Sequence, residues 1–337
     1  MGGVNNMKKK IVLLVSLVLS LTLVLMGCQK SSKNEATKAA KAKTIKVGSI
    51  RALGTITPYI SVEEGIYKKQ GINVQIVDFA DGAALMEAFA TGDIDIAFCG
   101  IAPIATWQSK GSELKIVASA NGGGHVIITR KDSGINSIAE LAGHKIAEPN
   151  PGTVTDTLLR DYILPSSKLK VPKDIQIVSG LKPADMATAL TATRQVDAAI
   201  TWEPFASQAE SKDPNIKVLY DAAKEIQTKT GSKALYPVNV VAASQKFIDD
   251  NPALLKSFLA GYVKTVDFIN NDPTANDKIA KALSLDKAII VKARKRVDYT
   301  YKVDVPGSFK TLDWAHNLGY LKVVPKEKEL FDLRFLP

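Results

Sequence analysis

The residue types that carry most enzyme chemistry are present but badly spaced for it. His125, His144 and His316 stand far apart, without the close repeats that gather a metal ion. There is no Gly-x-Ser-x-Gly elbow and no phosphate-cradling loop ending in Lys-Ser or Lys-Thr. Gly122-Gly123-Gly124 lacks the strand–Gly-x-Gly-x-x-Gly–helix context of a dinucleotide site. Asp93 and Asp95 flank the start of an apolar strand, and alternation places them on one face. They read as turn and edge residues rather than as an acid–base pair. The expectation is a protein that is not an enzyme and needs no cofactor or metal.

A second pattern repeats instead. Four times an apolar strand ends at small or hydroxyl residues just before a helix. The stretches are Arg51 to Thr57, which holds Thr55 and Thr57; Cys99 to Pro103, which holds Gly100 and Ile101; Asn150 to Thr155, which holds Thr153 and Val154; and Trp202-Glu203-Pro204. Beyond the carboxyl ends of parallel strands, open α/β sheets bind their ligands. Free N–H groups at helix starts point there, and the helix dipole adds roughly half a positive charge. Gly152 permits close backbone approach, Thr153 and Thr155 donate hydroxyl hydrogen bonds, and Arg51 adds a full charge. These residues are the candidate ligand contacts, and they suit a small anionic or strongly polar solute. Thr153 also fits a plain helix N-cap. Trp202 has two readings, a wall for the ligand or an anchor of the core. Glu203 reads first as a helix-start acid and, more sharply, as a partner for a ligand amine.

The elements that must position these loops alternate. Strands are expected at 44–50, 73–79, 94–99 and 114–119, then at 126–129, 145–147, 175–178, 198–201 and 217–220, with helices between them. That rhythm means an α/β fold with mainly parallel sheets flanked by helices. It runs once over Thr44 to Ala120 and again over His125 to Tyr220. Two similar lobes are therefore expected: residues 44–124 with 236–337, and residues 125–235. After a strand at 238–243 the chain reads as mostly helical, with expected helices at 287–297 and 308–318 among others. The glycines of 122–124 mark a flexible or tightly turned crossing.

The formal charge of +10 is concentrated near the start. Lys8, Lys9 and Lys10 precede an apolar run of about 16 residues from Ile11, short of the roughly 20 that span a bilayer. The segment 29–43 carries five lysines against Glu35, which leaves about +3 for the rest. The high pI is thus no nucleic-acid signature. The layout is a secretory leader over residues 1–28, followed by a flexible linker over 29–43. Met7 opens a more typical leader than Met1. Beyond Cys28 the only cysteine is Cys99, read as a buried small hydrophobe.

Leu25-Met26-Gly27-Cys28 resembles the lipobox of bacterial lipoproteins, in which the cysteine is lipidated and begins the mature chain. Met26 departs from the usual small residue. The body carries a second resemblance, to the solute-binding proteins of ABC importers in the nitrate, sulfonate and taurine class. It rests on Glu64-Gly65-Ile66-Tyr67 through Gly71-Ile72, Ala88 through Asp95, Ala139 through Ala147, Pro151-Gly152-Thr153, and Val196 through Pro204. The family implies a two-lobe periplasmic-binding-protein fold of type II that closes on a solute in the cleft and delivers it to a permease and its ATPase. It also implies a monomer tethered to the outer face of the cytoplasmic membrane through Cys28. The same class includes binders of thiamine-precursor pyrimidines and riboflavin. The alternatives from other classes are a related pyrimidine-making enzyme, which the single body cysteine disfavours, and a sensory or scaffold lipoprotein.

Overall fold

The computed structural model describes residues 44–80, 82–231 and 235–337. The leader, Cys28 and the linker lie outside the described residues. Among those described, no helix is long and apolar enough to cross a membrane.

The chain opens with β1 (Thr44–Ile50), α1 (Thr57–Glu63), α2 (Ile66–Lys69), β2 (Asn73–Phe79), α3 (Gly82–Ala90), β3 (Ile96–Gly100), α4 (Ile101–Ser109) and β4 (Leu114–Gly123). It continues with β5 (His125–Arg130) and β6 (Lys145–Ala147) into one helix, α5, over residues 154–166. Its middle, Leu158–Ile163, is π-helical. Next come β7 (Gln176–Val178), α6 (Pro183–Thr191), β8 (Ala198–Trp202), α7 (Phe205–Lys212), β9 (Ile216–Asp221) and α8 (Ala222–Thr230). The last part holds β10 (Pro237–Ser244), α9 (Gln245–Asp250), α10 (Pro252–Asn271), α11 (Ala275–Leu283), α12 (Lys287–Ala293), β11 (Val297–Tyr299), α13 (Val305–Asn317) and α14 (Glu327–Leu330).

Two sheets result. The first has strand order β11-β4-β10-β3-β1-β2 and the second β7-β6-β8-β5-β9. Each is parallel on one side, β2-β1-β3 and β7-β6-β8. Each turns antiparallel where the chain enters or returns, at β10 and β4 in the first sheet and at β5 in the second. The reading of mainly parallel sheets is thereby refined to two mixed ones. A repeated local device supports the two-fold rhythm. The Asp95 carboxylate accepts from Lys46 N at 2.8 Å, and Asp197 accepts from Lys145 N at 3.0 Å. In both sheets the residue before the third parallel strand pins the first.

Side-chain alternation distributes the core. Val240 and Ala242 of β10 join one apolar cluster, while Val241 and Ala243 join another on the opposite face. The largest cluster runs without interruption from Ile101 and Ile116 beside the first sheet to Ile127, Leu158 and Ile200 beside the second. Cys99 is buried in it, and burial pushes its thiol up to about 12.

Between the sheets the chain passes a narrow gap. Gly123 has φ +69°, and a Cβ there would lie 2.7 Å from the Arg296 carbonyl and 2.6 Å from Leu235. The glycines are thus required by space and backbone sign rather than by flexibility. The expected helix over 287–297 stops at Ala293, because Val297–Tyr299 instead pairs with β4 at Gly123–Asn121. The expected 308–318 helix starts at Val305, where Asp304 caps Gly307 N at 3.0 Å.

Candidate functional site: the facing strand edges

The carboxyl ends of β1, β3 and β4 share one edge of the first sheet. Gly100, Asn239 and Asn121 stand in one row across it. Asn239 donates to Asn121 Oδ1 at 2.7 Å. Gly54, in the turn after β1, lies directly on this amide pair, since a Cβ there would be 2.8 Å from both side chains. Helix α4 starts at this row with Gly100 as its N-cap and no side-chain cap. Its first N–H groups therefore lack intrahelical partners, as at any helix start.

On the second sheet the ends of β6 and β8 and the start of β5 share an edge. Thr153 caps α5: its Oγ1 accepts from Asp156 N at 3.3 Å and donates to the Asn150 carbonyl at 2.9 Å. Val154 meets the first sheet's edge, lying 3.7 Å from where a Gly100 Cβ would be. The two helix starts that the sequence singles out, Gly100-Ile101 and Thr153-Val154, are thus brought together. Ile101, Val154 and Thr155 are buried there. Trp202 is half-buried, pairs across the ladder with His125, and takes Phe205 edge-on at 5.9 Å.

Other candidates are engaged elsewhere. Arg51 turns back onto its own sheet, 2.9 Å from Asp78, 3.2 Å from the Ala282 carbonyl and 4.4 Å from the Tyr59 ring centre. Thr55 donates to the Ile50 carbonyl at 2.5 Å. Thr57 is fully buried beside Tyr262. Glu203 is buried, and both its oxygens are used. One pairs with Arg296 at 2.6 Å, and the other accepts from Ser207 N at 3.1 Å. The helix-start reading of Glu203 describes the second contact; the first is long-range. Arg296 also holds Asp221 at 3.2 Å, and Lys292 holds Glu210 at 3.0 Å.

Charge at the second edge is paired internally. Arg160 lies 2.6 Å from Asp156 and also pairs with Glu148, which accepts from Ser179 at 2.6 Å. Burial raises the Glu148 carboxyl, against the pull of Arg160 and Ser179. The Asp156 carboxylate accepts from Gly152 N at 2.7 Å, at the helix start. His125 is buried, with Nδ1 2.8 Å from the Tyr236 hydroxyl, and burial lowers it to about 3. It is a neutral imidazole at physiological pH.

Three residues at or beside these edges escaped the sequence reading. Asn239 had a signal, an amide inside the apolar run Val238 to Ala243. Arg296 and Tyr236 had none beyond residue type. Taken together, the edges offer uncapped N–H groups, two amides and aromatic walls to whatever sits between them. Among the described residues no His, Cys, Asp or Glu cluster could hold a metal.

A model of the NMT1-like family matches residues 38–284. A Brucella abortus protein named as a binding protein is 30% identical over 246 residues, 72% of this chain and 73% of that one. A Bacillus subtilis protein named for aliphatic sulfonate binding is 26% identical over 299 residues, 87% of this chain and 83% of that one. The crystal structure of the periplasmic aliphatic sulphonate-binding protein SsuA from Escherichia coli superposes with a TM-score of 0.70 at 24% identity, covering 85% of this chain and 94% of that one. These three are named as binding proteins. The fold is that of the periplasmic binding proteins, and the chain belongs to the NMT1-like family.

Proposed function

We propose that the protein is an extracytoplasmic solute-binding protein of an ABC importer. Its lobes are residues 44–124 with 236–337, and residues 125–235. A small anionic or polar organic solute of the sulfonate, taurine or nitrate class enters between them. The ligand shifts the protein to the closed form by its higher affinity for that form, and a permease with its ATPase receives the solute. The protein acts as a monomer held at the outer face of the cytoplasmic membrane by lipid on Cys28. The observation that carries this reading is the pair of helix starts, Gly100-Ile101 and Thr153-Val154, facing each other at the strand edges of two sheets.

Contacts to the solute come from the backbone N–H groups at Gly100-Ile101 and Val154-Thr155, from the Asn121–Asn239 pair and from Trp202. Arg51, Thr57 and Glu203 support the walls. A thermal-shift panel of taurine, alkanesulfonates, nitrate, bicarbonate, hydroxymethylpyrimidine, thiamine and riboflavin tests the class. A ligand at 100 times its dissociation constant stabilises by about 2.7 kcal/mol. A shift with the sulfonates, taurine or nitrate is expected, and a shift only with the ring compounds would sink the anion class. For the anchor, Cys28→Ala is expected to move the protein out of the membrane fraction. Retention after carbonate washing would mean that the leader itself holds it.

A further inference from the structure

Helix α13 and the π-helical turn of α5 have no part in solute contact, yet they meet across the two sheets. Helix α13 is fixed to the first sheet. Thr311 donates to the Pro237 carbonyl at 3.4 Å, and Phe309 packs edge-on against Phe331 at 6.0 Å. Asp332 N donates to the Ile116 carbonyl of β4 at 2.9 Å. From this base α13 reaches over to α5. The Trp314 and Tyr162 ring centres are 5.5 Å apart, and Asn317 donates to Asp161 at 3.0 Å. Just beyond the helix, the Tyr320 ring lies 3.7 Å from where a Gly152 Cβ would be. Residues 314 and 317 fall on one face of a helix by their spacing.

The other partner is shaped for this contact. In α5 the apolar pairs Leu158-Leu159 and Ile163-Leu164 are five residues apart, and all four are buried. An α-helix would place residue 162 on the face of residue 158, four back. The π-helical turn of Leu158–Ile163 accommodates an extra residue. It keeps the apolar pairs in the core and leaves Arg160, Asp161 and Tyr162 partly buried at its margin. Arg160 turns to Glu148 and Asp156, while Asp161 and Tyr162 turn to α13. A widened turn placed in the middle of a helix, where it meets the opposite lobe, is a built feature rather than a packing accident.

We infer that Tyr162 and Asp161 on the π-helical turn and Trp314 and Asn317 on α13 form a latch between the lobes. The latch sets how much of the solute-free protein is closed, and through that population it sets solute affinity without touching the solute. The four are positioning residues. The inference rests on the reading of two lobes that open and close. Apparent affinity scales with the fraction of protein in the competent state, so a weakened latch lowers affinity for every solute by one common factor.

The test uses the full chain without ligand. Spin labels are placed at positions 69 and 182, exposed residues of the first and second lobes. Double electron–electron resonance then reads the distance between them. Two populations are expected in the parent protein. In the Trp314→Ala, Asn317→Ala variant the closed-to-open ratio is expected to fall about tenfold, from the loss of the one ring pair and one hydrogen bond these residues make to the other lobe; the Trp314–Tyr236 pair, 5.9 Å apart, lies within the first lobe. Trp314→Phe is expected to restore most of it. Asn317→Asp changes an exposed residue that does not support the core, and it sets two carboxylates side by side; it too is expected to favour the open form several-fold. Two populations in unchanged ratio in all three variants would overturn the latch and leave lobe closure standing. One fixed distance in parent and variants, unmoved by taurine, would overturn both.

Discussion

The two strand edges are built on one plan and finished in opposite ways. Both have three parallel strands, an aspartate pinning the first to the third, and a helix start at the carboxyl end. At the first edge the groups that face inward are uncharged: the Gly54 turn, Asn121, Asn239 and the uncapped Gly100. Arg51, just after β1, points away into a half-exposed pair with Asp78. At the second edge charge is buried and paired, with Arg160 between Glu148 and Asp156, and Arg296 holding Glu203. Arg296 comes from the segment before β11 of the first sheet, so its pair also ties the sheets together beside the Gly123 crossing. The difference teaches where rigidity and recognition reside. Neutral amides and free N–H groups can rearrange around a solute at small cost. A buried ion pair holds one geometry, because breaking it leaves a charge without solvent.

That contrast gives the largest expected effect. Arg296→Met leaves Glu203 buried with no cation, and this should cost about 3–5 kcal/mol. Arg51→Met removes a pair with both side chains about half exposed, which should cost under about 1 kcal/mol. Urea unfolding of the two variants beside the parent measures both. Equal losses would break the distinction between a structural second edge and a dispensable surface pair at the first. A small loss for Arg296→Met would mean that Glu203 relaxes to solvent and that the tie between the sheets is weak.

The amount of this that was legible in the sequence follows from the range of the interactions. Local and periodic signals carried far. The all-apolar run Ile96 to Cys99 is a strand buried on both faces, as a central parallel strand must be. The strand-to-helix junctions at Gly100 and Thr153 are where the chain pattern puts them, and Pro58 stands in the first turn of α1. The mixed character of the sheets was not legible, because strand direction depends on which strand becomes the neighbour, as β10 does between β3 and β4. The destinations of charged side chains were not legible for the same reason. Arg296 follows a helix and resembles any cation in a last turn, while its partner Glu203 is 93 residues away in the chain. Arg51 had the right position for an anion contact and the wrong rotamer for one, since Asp78 and Tyr59 compete for it on its own sheet. The spacing of Leu158-Leu159 and Ile163-Leu164 was a readable sign of the π-helical turn that an α-helical template passes over.

A smaller effect sharpens the same contrast through pH. Burial pushes the Asp78 carboxyl up, but the hydrogen bonds from Tyr59 and Arg51 and the Arg51 charge outweigh it, and the group is held below its usual value. Glu148 goes the other way, with burial raising it beyond what Arg160 and Ser179 offset. The signs of their contributions are therefore opposite. A depressed acid binds fewer protons folded than unfolded, so the stability from Asp78 is present above the unfolded value near pH ~4 and is lost as pH falls through the folded one. A raised acid binds more protons folded than unfolded. The stability tied to protonated Glu148 is present below the unfolded glutamate value and is lost as pH rises through the folded pKa. In urea unfolding followed from about pH 3 to about pH 7, Asp78→Asn should flatten the loss on the acid side. That change should stay within about 1 kcal/mol, because the pair is half exposed to solvent. Glu148→Gln should instead reduce the decline on the rising side. Parallel shifts of the whole curve in both variants, with no change of slope, would mean that the two carboxylates titrate alike and that the edges do not differ in how they hold charge.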